Sequence, residues 1–113
     1  MENKREMIEE KIDEILNDLG FEKGVSMTWV YDWVYSKSIK MGSVTAKYTI
    51  EIDNFISVIH LNIFGMDYKM NFNTEDLIKE NAIIDAMLKI LIKAEKTRTR
   101  IYDNFVGEIN DLK

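Results

Sequence analysis

From Thr74 to Leu112 the chain keeps a helical apolar spacing, and it contains no proline to break it. Leu77, Ile84, Met87, Leu88, Leu91 and Ala94 lead on to Ile101, Tyr102, Phe105, Ile109 and Leu112. A single helix over that run would be roughly 60 Å long at about 1.5 Å per residue. A compact domain of this size has a radius of gyration of only about 13 Å. The helix must therefore project from the domain or bend. Its weakest stretch is Lys96 to Arg100 (KTRTR), where Thr97 and Thr99 lower helix propensity and no core residue occurs. A bend or break near 96–100 is the expectation there.

Without such a bend, the stripe of Ile101, Tyr102, Phe105, Ile109 and Leu112 lies outside the globule. Apolar surface of that extent marks an interaction site. It folds back as a further helix, or it pairs with a second copy or a partner. Self-association is the reading adopted. The segment Lys93–Arg100 is locally basic: either it contacts a phosphate or an acidic partner, or it complements the C-terminal region of a helix or pairs with the acidic first helix.

Residues 1–19 predict a first amphipathic helix. Ile8, Ile12, Ile15, Leu16 and Leu19 line one face and acidic residues the other. Gly20 is suited to end it in a left-handed conformation, with Phe21 packing back on Leu16. The period then changes to two. Val25–Tyr35 alternates Met27, Trp29, Tyr31, Trp33 and Tyr35 on one face and reads as a strand. Ser36–Gly42 reads as a hairpin loop. Ser43–Asp53 is the clearest strand, with Val44, Ala46, Tyr48, Ile50 and Ile52 inward and Thr45, Lys47, Thr49 and Glu51 outward. Phe55–Phe64 gives a third strand, with Ile59, Leu61 and Ile63 on one face and Val58 and His60 on the other. Tyr68–Phe72 gives a short fourth. Asn73 or Thr74 would cap the long helix, with Glu75 and Asp76 in its first turn.

The expected fold is one α+β domain over 1–113: an N-terminal helix, a four-stranded antiparallel meander and a long C-terminal helix. The net charge is −5, whereas chains that follow nucleic-acid phosphates carry a basic excess. Direct nucleic-acid binding is disfavoured on that ground. With no cysteine, disulfides, thiolate metal sites and cysteine nucleophiles are excluded. The charged start MENKREMIEEKIDE is unlike a secretory signal, and no stretch is long and apolar enough for a membrane. A cytoplasmic protein is expected.

His60 is the single histidine, and no pair of residues has metal-ligand spacing. Phosphate loops and nucleophile elbows are absent from the sequence. The expectation is a non-enzymatic chain with no metal or cofactor. It would act by binding another macromolecule, with the acidic face of the first helix (Glu6, Glu9, Glu10, Asp13, Glu14) standing in for phosphates. A mobile-element inhibitor of a host nucleic-acid enzyme, of which anti-CRISPR proteins are one kind, fits that description. Two alternatives stay open. One is a small-ligand domain with an aromatic pocket around Trp29 and Trp33, which otherwise belong to the core. The other is a structural or chaperone-like homodimer built on the C-terminal stripe.

Overall fold

A computed structural model describes residues 2–25, 33–53 and 55–112, with side chains from residue 6 and excepting Val25. Helix α1 (Glu2–Asp18) is followed by strands β1 (Glu22–Val25), β2 (Trp33–Met41), β3 (Val44–Ile52), β4 (Ile56–Ile63) and β5 (Met66–Asn73). A 3₁₀ turn (Thr74–Ile78) then leads into α2 (Ala82–Asp111). The strands form one antiparallel sheet in the order β1-β2-β3-β4-β5. The α+β architecture is as the periodicity predicts, with five strands instead of four.

The extra strand comes from redrawn boundaries. Glu22–Gly24, which lies outside every strand expected from the periodicity, belongs to the edge strand β1. Ser36–Met41, expected as loop, is the outer half of β2, whose register runs from Trp33↔Ile52 to Met41↔Val44. The hairpin turn is only Gly42 and Ser43. β5 likewise extends past Tyr68–Phe72 at both ends. Residues 26–32, including Trp29 and Tyr31, lie outside the described residues.

The core forms on one face of the sheet. Tyr35, Ile50 and Ile59 come into register on adjacent strands, as do Tyr48, Leu61 and Tyr68, and all are buried. Onto them α1 lays Ile12 and Leu16, and α2 lays Ile83, Ala86, Ile90 and Ala94. The inward face expected of β3 and the apolar face expected of α1 are both observed. Gly20 has φ +86° and the Phe21 N–H donates to Leu16 O at 2.9 Å, which closes α1 as expected. A Cβ at Gly20 would also meet the Lys37 ammonium at 2.8 Å.

The long helix starts later than the sequence suggests. Thr74 is buried, and its hydroxyl donates to Asp53 O while accepting from Ser57 Oγ, both at 2.7 Å. These bonds tie the end of β5 to the β3–β4 turn. The chain reverses at Asn81, in the left-handed region at φ 60°, before α2 begins. Thr74→Val keeps the shape but strands a buried serine hydroxyl and a carbonyl. It is expected to cost about 1–3 kcal/mol in urea unfolding, with the slope unchanged.

α2 then runs unbroken to Asp111, so the bend expected near 96–100 is not there. Thr97 is accommodated because its hydroxyl donates back to Lys93 O at 2.9 Å. The last buried residue is Ala94, and every residue from 98 to 112 is exposed. The molecule is accordingly 66 Å long and under 30 Å across, with a radius of gyration of 17.1 Å. The second half of α2 is an arm.

Candidate functional site

The structure offers three places where chemistry or binding could be organised. The first is a cleft of about 220 Å³ between α1 and the β1–β2 edge, lined by Glu6, Glu9, Glu10, Asp13, Lys23, Trp33 and Tyr35. It gathers most of the acidic helix residues with one of the two tryptophans singled out from sequence. Lys23 fills part of it, with its ammonium 4.1 Å from the Trp33 ring centre. Asp13 is committed within the chain. Its carboxylate accepts from the Tyr35 hydroxyl at 2.8 Å and pairs with Lys23 at 3.2 Å. Glu6, Glu10 and Glu14 remain on the exposed face.

The Tyr35 and Lys23 bonds hold the Asp13 carboxyl below its usual 3.8. Burial and the bond to Asp13 push the Tyr35 phenol upward. A depressed carboxyl stabilises the fold fully above its unfolded pKa. That stability is lost as pH falls from about 3.8 through the lower folded value. Asp13→Asn should therefore flatten the fall of melting temperature with pH below about 4, measured against the parent chain.

The second place is the outer face of the sheet, where His60 sits between Thr49 and Lys69 on the neighbouring strands. Its ring nitrogens each lie 3.4 Å from a carboxylate oxygen, Nε2 from Glu51 and Nδ1 from Asp67. Nε2 is buried without hydrogen-bond geometry, so the Glu51 contact is ionic only when the ring is protonated. The two carboxylates lie near different nitrogens of the ring. No group of three or more acidic or histidine side chains among the described residues is placed to hold a metal ion.

The third is the arm. Tyr102, Phe105, Ile109 and Leu112 are all more than half exposed, and Ile101 is 39 % exposed. The stripe singled out from sequence thus stands in water. Its root rests against the β4–β5 turn, where the Arg98 guanidinium lies 4.1 Å from the Phe64 ring centre. That turn places Phe64 and Gly65 at φ 55° and 74°, the left-handed pair that suits a tight hairpin.

Sequence reasoning missed how far the exposed seam extends. Ile84, Leu88 and Leu91 on the domain half of α2 are also exposed, at 41, 53 and 39 %. With Glu95 and Arg98 they join Tyr102, Phe105, Ile109 and Leu112 at alternating intervals of four and three residues. That is the repeat of a coiled-coil seam. The alternation is legible in the residue numbers. It stays hidden while Ile84, Leu88 and Leu91 are counted with the core.

No family model, no characterised protein and no solved structure matches the chain. No helix among the described residues is long and apolar enough to cross a membrane.

Proposed function

We propose that this is a non-enzymatic interaction protein that works as a homodimer joined through its C-terminal helical arm. The observation that carries the reading is the arm itself: helix with no domain beneath it and an apolar stripe in water. An isolated helix of this length is marginal. Gly107, where an added Cβ would meet nothing within 4 Å, weakens it further by about 1 kcal/mol relative to alanine. A second copy supplies the packing such a helix needs. Light scattering on the full chain tests this. A mass of two chains at micromolar concentration is expected, and a single-chain mass across that range rejects it.

A second reading concerns what the dimer binds. Glu6, Glu10 and Glu14 face water beside the Trp33 cleft, which favours a basic macromolecular partner such as a host enzyme that handles nucleic acid. The pairing would be electrostatic and strongest at low salt. A triple Glu6→Gln, Glu10→Gln, Glu14→Gln variant is then expected to lose competition with DNA for such an enzyme. A parent chain that fails to compete at low ionic strength removes the reading.

A further inference from the structure

We infer that two arms pair antiparallel, centred between Lys96 and Thr97, with Glu95 of each chain facing Arg98 of the other. The inference rests on the arm-mediated dimer proposed above and specifies its geometry. The seam is apolar except at its middle, where Glu95 and Arg98 occupy two consecutive seam positions. In a parallel, in-register pair each seam residue meets its own copy. Glu95 would then face Glu95 and Arg98 would face Arg98, two like-charge contacts inside the interface. In an antiparallel pair the two kinds of seam position face each other. Glu95 then meets Arg98 twice, once on each side of the two-fold axis.

The same register satisfies the rest of the seam from Ile84 to Ile109. With Glu95 opposite Arg98, Leu91 falls opposite Tyr102, Leu88 opposite Phe105 and Ile84 opposite Ile109. Each of these is an exposed apolar side chain in the single chain, and each gains an apolar partner. The arm's exposed stripe thus covers the exposed stripe on the domain half of the other copy. This accounts for both with one contact.

The last turn of α2 carries no basic residue, while Glu108 and Asp111 stand there, against the negative end of the helix dipole. Antiparallel pairing places them beside the first turn of the partner's α2, where the positive end of the helix favours them and Asp85 opposes them. Lys93, Lys96 and Arg100 lie off the seam, where solvent screens their repulsion across the axis. No ion pair within the described residues engages Glu95 or Arg98; Arg98 is exposed but rests on the Phe64 ring, a contact it shares with or gives up to Glu95 of a second copy.

The chain's lack of cysteine makes orientation directly measurable. Full-length Leu91→Cys and Tyr102→Cys variants are oxidised separately and as a mixture, after light scattering has established the mass. The expected result is a disulfide-linked dimer in the mixture and little in either variant alone. A Tyr102→Cys variant that links to itself shows a parallel pair and overturns this inference, while the homodimer stands. A single-chain mass overturns both. Charge exchange gives an independent reading. Glu95→Arg is expected to raise the dimer dissociation constant about tenfold or more by facing Arg98, and adding Arg98→Glu should restore it to within about threefold. A Glu95→Arg loss that Arg98→Glu fails to recover would overturn the pairing of these two residues.

Discussion

Replacing Phe105 and Ile109 together with glutamate is expected to raise the dimer dissociation constant by about 10⁴-fold or more, because the pair loses four large apolar side chains, two from each copy, each worth about 1.5–3 kcal/mol when buried. In the single chain both residues are exposed, at 60 and 59 %, so the domain loses no core contact. The variant should thus keep the urea midpoint of a monomeric reference while its mass falls to one chain. That separation is what distinguishes an interface residue from a core residue. Sedimentation equilibrium over a concentration series checks it. A double variant that stays dimeric would place the contact elsewhere.

The opposite pattern is expected at Ile59, which is completely buried at the middle of β4, in register with Ile50 and Met70. Ile59→Ala removes methyl groups from the centre of the sheet, directly beneath the helices. Such truncations cost about 2–5 kcal/mol, partly from lost transfer energy and partly from the cavity left behind. For a domain of this size that lowers the melting temperature by about 10–20 °C. Urea unfolding should show a lower midpoint at unchanged slope. Leu112→Ala, on a residue 86 % exposed, should leave the unfolding free energy of the monomer within about 0.5 kcal/mol of the parent. A loss at Ile59 no greater than at Leu112 would contradict the assignment of the core to this face.

Much of the architecture is legible in short-range pattern. The alternation of β3 names its buried residues Tyr48, Ile50 and Ile52, and the helical spacing of α1 names Ile12 and Leu16. Gly20 marks the end of α1. The errors cluster where local preference is weak. Ser36–Met41 has few β-branched or aromatic residues and reads as loop, yet it pairs residue by residue with β3. A strongly patterned neighbour imposed the strand on it. Glu22–Val25 is a strand for the same reason, held by β2. KTRTR stays helical because backbone bonds within a helix are local and Arg98 finds a ring to stack on.

The candidate sites divide the same way. The arm's stripe is visible from spacing, since a run that outreaches its own domain leaves its far residues nothing to pack on. The Trp33 cleft is not, because its two walls come from residues far apart in sequence: α1 and the β1–β2 edge meet only on folding. In sequence Asp13 is indistinguishable from its acidic neighbours; folding brings Tyr35 and Lys23 to it. Periodicity depends only on the chain's own geometry, so the sequence by itself determined which residues share a face. Burial depends on which other segment arrives, and only the tertiary structure decided that α2 leaves the sheet after Ala94. It also turned Ile83, Ala86 and Ile90 onto the sheet, which leaves Ile84, Leu88 and Leu91 in water in line with the arm.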